Sequence, residues 1–224
     1  MAAKKKETTD AAVETKEQET ATESTPVDTK VKDEIIATLQ KTERSGIDDL
    51  IDYMEEIGFF TAPASGGNHS HAEGGLAEHS LNVCHTAEKF SVTLYGGKNI
   101  TPEMRNSIVI AALLHDLGKC GDYGKQMYIP NILKSGKQSD AKPWKRNNDL
   151  LPLDHATRSI KLATLFIDLT EDEEFAIRYH DGLYETANYG VKGHETELYM
   201  ILHWSDMWSS RVLEGDTGEG SGEE

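Results

Sequence analysis

The chain has 224 residues, with 39 Asp and Glu against 23 Lys and Arg, for a formal net charge of -16. That acidity argues against broad, nonspecific binding to nucleic acid or an anionic membrane, while leaving room for a small phosphorylated substrate held by a metal. Two cysteines, Cys84 and Cys120, cannot make a disulfide framework or a zinc ribbon, and no apolar stretch has the length of a membrane span, so a soluble, cytoplasmic protein is expected.

Residues 1–30 are rich in Ala, Thr, Glu and Lys and hold almost no large apolar side chain. Such a segment cannot bury enough surface to offset chain entropy, which predicts a disordered N-terminal tail. No apolar stretch follows Lys4-Lys5-Lys6, so the start does not read as a signal peptide. Residues 214–224, beginning Glu214-Gly215-Asp216, read as a second, acidic tail. One domain is expected between them, over 31–213.

Within that domain the apolar spacing is helical. Ile35, Ile36 and Leu39 mark a first helix over Val31 to Leu39. Ile47, Leu50, Ile51, Met54 and Ile57 mark a second, stopped by Gly58. A loop over 59–75 holds Pro63 and four glycines, and a helix from Leu76 to about Leu94 follows. Pro102 suits the first turn of a helix expected to reach Leu117 and to close at Gly118. Residues 119–152 carry three glycines and three prolines, with strand-like patches at Tyr128-Ile129 and Ile132-Leu133, and predict a hairpin or long flap. Helical pattern returns over His155–Leu169, Glu171–His180 and about Glu195–Leu213. Thr170 with Glu173 reads as an N-cap with a capping box. The fold class is all-α: a helical bundle with one irregular or hairpin insertion and disordered tails.

The chemistry is concentrated where apolar runs are interrupted. Ala111-Ala112-Leu113-Leu114 runs into His115-Asp116-Leu117-Gly118-Lys119. A buried carboxylate needs a compensating cation or hydrogen-bond network, and a metal ion is the simplest. His79 lies on a helix one turn after Gly74-Gly75, His155 opens the helix after Pro152, His180 ends an apolar helix, and Asp206 interrupts another. Five separate helices thus each offer one or two imidazole or carboxylate ligands. That donor set suits Mn, Fe, Ni, Co or Zn, with Mg at a more oxygen-rich position.

In this order, Gly74-Gly75-Leu76-Ala77-Glu78-His79, His115-Asp116-Leu117-Gly118-Lys119, Leu153-Asp154-His155, Tyr179-His180-Asp181 and His203-Trp204-Ser205-Asp206 resemble the motifs of the HD-domain metal-dependent phosphohydrolase superfamily, over roughly residues 45–213. The resemblance implies that His79, His115, Asp116 and Asp206 hold a first ion. His155 and His180 match the extra histidines of binuclear members, in which Asp116 would bridge both ions and an activated water would attack phosphorus. Lys119 would bind a substrate phosphate or stabilise developing charge. The first motif is similar to that of a subgroup that includes the HD domain of 3'-5' exoribonucleases and uncharacterised bacterial and phage-type hydrolases. The oligonucleotide-binding domain of those exoribonucleases has no counterpart here, and the Gly-Tyr-Pro of cyclic-dinucleotide phosphodiesterases is absent after Gly182.

The stretch 119–146 sets seven basic residues against two acidic ones inside an acidic body, with Tyr123, Tyr128 and Trp144 interleaved. It reads as a substrate flap, with Lys119, Tyr128, Lys145 and Arg146 as the substrate-binding candidates. His203 is expected to orient Asp206, His85 to face solvent, and His69 and His71 either to line the entrance or to lie in a solvated loop. Asp181 and Glu185 read as a solvated face, with a role beside the ligands or in proton transfer as the alternative, and Glu78 is open between binding a metal-bound water and simple exposure. The leading expectation is hydrolysis of a small phosphorylated molecule, a nucleotide foremost, with one or two divalent ions. The alternatives are a nuclease or cyclic-oligonucleotide phosphodiesterase, and a non-catalytic nucleotide-sensing module.

Overall fold

The computed structural model describes residues 29–67 and 70–215. The reading of 1–28 and 216–224 as tails, and that of His69, lie outside the described residues. Among these residues there are seven α-helices: α1 (Thr29–Gln40), α2 (Ile47–Glu56), α3 (Gly75–Tyr95), α4 (Pro102–Leu114), α5 (His155–Ala163), α6 (Glu171–Tyr179) and α7 (Glu197–Trp208). A two-stranded hairpin, β1 (Tyr128–Pro130) and β2 (Trp144–Arg146), stands between α4 and α5. No helix among the described residues is long and apolar enough to cross a membrane.

Helix α4 is the centre of the bundle. Thr101 starts it, its hydroxyl accepting from the Met104 amide at 3.2 Å, and Pro102 fits the first turn because its missing N–H has no partner to lose there. Every residue from Ile108 to Leu114 is buried. A helix apolar all round must be enclosed, and α1, α3, α5, α6 and α7 pack around it. Truncating Leu113 or Leu114 to Ala would cost about 2–5 kcal/mol. The polar pair that follows is therefore delivered into the middle of the domain.

The far side of the bundle is pinned by one glutamate. Glu173 closes the expected capping box of α6, accepting from the Thr170 amide at 2.9 Å. Its fully buried carboxylate also accepts from Arg44 at 2.6 and 2.9 Å and from Ser107 at 2.7 Å. The α1–α2 connection, α4 and α6 are thereby joined at one point.

Four elements differ from their sequence reading. Helix α4 stops at Leu114 rather than Leu117, and Leu117–Cys120 form a 3-10 turn. Gly118 does not close a helix; it lets that turn press onto α5, where a Cβ would stand 2.2 Å from the His155 carbonyl oxygen. Its amide donates to Ser159 at 2.7 Å. Helix α5 stops at Ala163 rather than Leu169, because the chain folds against Gly46, where a Cβ would meet the Phe166 oxygen at 2.0 Å. The last helix is not continuous to Leu213: α7 ends at Trp208 and Ser209–Leu213 form a π-helical turn. The patch at Ile132-Leu133 makes only an isolated bridge, between Ile132 and Gln138.

The insertion is tethered at both ends. Arg158, 1% exposed, donates to Asp122 and to the Leu151 carbonyl, each at 3.2 Å, and Lys161 joins Asp122. At the tip side, Trp144 donates its indole N–H to the His71 carbonyl at 2.8 Å. The hairpin is thus held between α5 and the loop that leads into α3.

Candidate metal centre

The residues predicted from five helices converge. His79 comes from the first turns of α3, His115 and Asp116 from the end of α4, His155 from the start of α5, His180 from the residue after α6, and Asp206 from α7. Three overlapping sets have ligand atoms within 4.8 Å of one another: His79, His115 and Asp206; His115, Asp116 and His180; His155, His180 and Asp181. His79, His115, Asp116 and His180 are at most 1% exposed, whereas the side chains of His155, Asp181 and Asp206 are 18–36% exposed. The cluster therefore opens to solvent along His155, Asp181 and Asp206.

The outer nitrogens decide the tautomer of two of the rings. His115 Nδ1 donates to the Ala112 carbonyl at 2.9 Å and His180 Nδ1 to the Ile177 carbonyl at 2.8 Å. A carbonyl oxygen only accepts, so the proton sits on Nδ1 and a neutral ring presents its Nε2 lone pair inward. His115 Nε2 is fully buried and meets no hydrogen-bond donor among the described residues. His155 Nε2 and His180 Nε2 approach to 3.2 Å. The donorless Nε2 of His115 and the crowding of imidazoles and carboxylates around it fit a divalent metal.

Asp116 stands between two groups of these rings. Its Oδ2 lies 3.5 Å from His79 Nε2 and 3.3 Å from His115 Nε2, while its Oδ1 lies 3.2 Å from His155 Nε2 and 3.6 Å from His180 Nε2. Lys119 adds its ammonium at 2.6 Å from Oδ2. Burial works against the Asp116 charge, but Lys119 and His115 hold its carboxyl well below the usual range. Burial likewise opposes the Lys119 charge, and Asp116 outweighs it, raising the ammonium above its ordinary value. Asp206 is held down by His79, whose Nε2 lies 3.2 Å away, again against burial. His79 has carboxylates on both ring nitrogens; although burial opposes its charge, Asp206, Glu214 and Asp116 hold it up at about 9.

A family model for the HD domain matches residues 76–203, more than half of the chain. The chain belongs to the HD-domain family. The family is one of metal-dependent phosphohydrolases, and the buried His and Asp sets lie where such an enzyme needs its divalent ions. No curated protein and no solved structure matches the chain.

Beside this cluster lies a cavity of about 180 Å³, lined by Lys119, Asp181, Tyr184, His203 and Arg211 among others. It is smaller than the roughly 300–1,000 Å³ of pockets that enclose a whole ligand of drug size. Lys119 is thus at the centre, as the sequence suggested. Tyr128 lies close enough to Lys119 to act on its charge. Register pairs Tyr128 with Arg146 and Ile129 with Lys145. Directly opposed residues share a face and neighbours alternate, so Arg146 is on the Tyr128 face and Lys145 on the other. Arg146 donates to the Leu153 carbonyl at 3.4 Å; Lys145 is exposed.

Other histidines find plainer work. His85 pairs with Glu34 at 2.8 Å on the surface. His203 does not hold Asp206; its Nδ1 donates to the His180 carbonyl at 2.6 Å and its ring stacks on Tyr199. Gly182 is required beneath it, since a Cβ there would lie 2.4 Å from the ring. Two residues escape the sequence reading, and a third stands closer to the cluster than its reading as a solvated residue implies. Asp181 has its carboxylate 3.6 Å from His155 Nε2. Arg211 lines the cavity with its guanidinium 5.3 Å above the Tyr184 ring. Glu214, read as part of a tail, has a buried carboxylate on the outer nitrogen of His79. A basic residue one turn beyond Asp206 was the available signal for Arg211; no local pattern marks Glu214.

Proposed function

We propose that this HD domain is a binuclear phosphohydrolase that cleaves a phosphate ester or anhydride of a small phosphorylated substrate, a nucleotide foremost. The observation that carries the reading is the division of Asp116, with one oxygen toward His79 and His115 and the other toward His155 and His180. On this reading His79, His115 and Asp206 hold one ion, His155 and His180 hold the other with Asp181 beside them, and Asp116 serves both. Divalent ions bound there supply a nucleophile from water at neutral pH and polarise the phosphoryl oxygens.

The protein's own residues do the remaining work. Carbonyls of Ala112 and Ile177 hold His115 and His180 in the tautomer that ligates. Lys119 and Arg211 border the cavity and would meet the negative charge that develops on the phosphoryl group. The cavity suits the reacting phosphoryl end, leaving the rest of the substrate against the hairpin, where Tyr128 offers a ring and Arg146 a guanidinium on one face. The chain's net charge of -16 favours a small substrate over a long polymer. The close approach of Gly75 to Ser70, where a Cβ would be 2.0 Å from the Ser70 oxygen, supports membership of the subgroup whose first motif reads Gly-Gly-Leu-x-Glu-His. Two free, buried cysteines support a reducing, cytoplasmic setting.

The test is metal content of the purified protein together with turnover on nucleoside mono- and triphosphates, cyclic dinucleotides and short RNA, each with Mn, Mg, Co or Ni. Two ions per chain with turnover of a nucleotide is the expected result. One ion per chain would remove His155 and His180 from the ligand set. Cleavage of RNA or cyclic dinucleotides alone would replace the nucleotide reading with the nuclease one. No metal and no turnover would overturn the enzyme reading.

A further inference from the structure

Metal-binding imidazoles are commonly oriented through the nitrogen that does not face the metal. His115 and His180 use carbonyls for this, from the last turns of their own helices. His79 is different: its outer nitrogen meets a carboxylate from a residue 135 positions later in the chain. Nδ1 lies 2.9 Å from Glu214 Oε2 and 3.2 Å from Oε1. That carboxylate is itself held from both sides, Oε2 accepting from the Ser70 hydroxyl at 2.7 Å and Oε1 from the Asn82 amide at 3.0 Å. Asn82 is on the helix that carries His79, and Ser70 is in the loop that precedes it.

The backbone brings Glu214 there by a specific device. Asp206 faces the inner nitrogen of the same ring at 3.2 Å. On an unbroken α-helix, residue 213 would fall about 20° from the direction of Asp206, and residue 214 about 80° away. The π-helical turn at Ser209–Leu213, closed by the Glu214 amide on the Ser209 carbonyl at 2.9 Å, inserts one extra residue. Residue 214 then returns to the Asp206 side. One chain segment thereby grips both nitrogens of His79, Asp206 from within the cluster and Glu214 from behind.

We infer that Glu214 is a positioning residue for the His79 ligand, fixing its ring orientation and tautomer through Nδ1 and so tying metal affinity to the segment that follows α7. Glu214 touches neither substrate nor metal and acts through His79. The inference rests on the metal-centre reading above. An ionised carboxylate behind the ring also makes Nε2 a stronger donor than a carbonyl would.

The test is titration of metal-free protein with Mn²⁺ for wild type, Glu214→Gln and Glu214→Ala, with far-UV circular dichroism as the fold control. Alongside it, the downfield imidazole N–H resonance of His79 is recorded in metal-free protein. Expected is loss of that resonance and a fall in Mn²⁺ affinity of about 10- to 100-fold in Glu214→Ala, with Glu214→Gln between it and wild type. Wild-type affinity in a folded Glu214→Ala would overturn the inference while leaving the metal centre intact. Failure of wild type itself to bind Mn²⁺ would instead overturn the metal centre, and with it the role given to Glu214. If Glu214→Ala does not fold, Asn82→Ala carries the test, because it frees Glu214 Oε1 and is expected to lower affinity in the same direction by less. An unchanged affinity and an unchanged His79 resonance in Asn82→Ala would overturn the inference as well.

Discussion

Two buried carboxylates, Glu173 and Asp116, sit on opposite sides of the bundle and solve the same problem differently. Glu173 is 0% exposed and its oxygens meet fixed donors: two from Arg44, the Ser107 hydroxyl and the Thr170 amide. Asp116 is 1% exposed and is ringed by four imidazole nitrogens, two of which, on His115 and His180, are turned inward as lone pairs. Lys119 reaches its Oδ2, while its buried Oδ1 accepts no hydrogen bond among the described residues. The first site is closed by the protein and belongs to stability; the second is consistent with a divalent metal site and, on the reading proposed above, belongs to function. Burial alone does not tell them apart, but the donor inventory does.

The contrast is broken or sharpened by separating activity, stability and metal affinity. The largest effect is expected from Asp116→Ala, which should reduce phosphohydrolase turnover to background and abolish metal binding while the helical circular dichroism spectrum persists. Turnover near wild type would place the chemistry elsewhere. Glu173→Ala should do the converse. It is expected to lower unfolding free energy by about 3 kcal/mol in urea titrations, because Arg44 loses its partner, with Mn²⁺ affinity unchanged. A metal-affinity defect in a folded Glu173→Ala would erase the distinction.

Metal removal comes next. Saturating Mn²⁺ should stabilise wild type by about 2.7 kcal/mol when free ion exceeds Kd about 100-fold, read as a rise in Tm, and should leave the Tm of Asp116→Ala unmoved. Glu173 should contribute to the acid limb of stability. Burial opposes its charge, but Arg44, the Thr170 amide and Ser107 lower its carboxyl below the ordinary value. A depressed folded value means the contribution is fully present above the unfolded value, about 4.3, and is lost as pH falls through the folded one. The urea midpoints of wild type and Glu173→Gln should therefore stay apart above about pH 5 and converge in acid. The smallest effect concerns the hairpin. Arg146→Ala and Tyr128→Ala should raise KM for the substrate several-fold with kcat nearly unchanged, on the order of 1 kcal/mol of binding each, and Lys145→Ala should change it less. Equal effects at Arg146 and Lys145 would mean that the face of the hairpin does not matter.

Much of this was legible from local pattern. Apolar spacing located all seven helices, and the Thr170–Glu173 capping box was readable because a cap is a short-range interaction. The candidate ligands His79, His115, Asp116, His155, His180 and Asp206 stood out by residue type and by their places on separate helical segments. Helix ends were less legible. Gly118 looks like a helix stop, and only the packing of α5 over it reveals a close-approach glycine. The π turn leaves no mark in a sequence pattern that reads as one helix to Leu213.

The sequence by itself determined the fold class, the central buried helix and the chemical identity of the candidate ligand set, because periodicity and residue chemistry are properties of neighbours in the chain. Tertiary structure alone decided which oxygen of Asp116 faces which histidines, that Tyr128 and Arg146 share one face of the hairpin, and that Glu214 stands behind His79. Those relations depend on how helices far apart in the chain cross and where one helix gains a residue. A shift of a single residue moves a side chain by about 100° around a helix, so no local pattern encodes them.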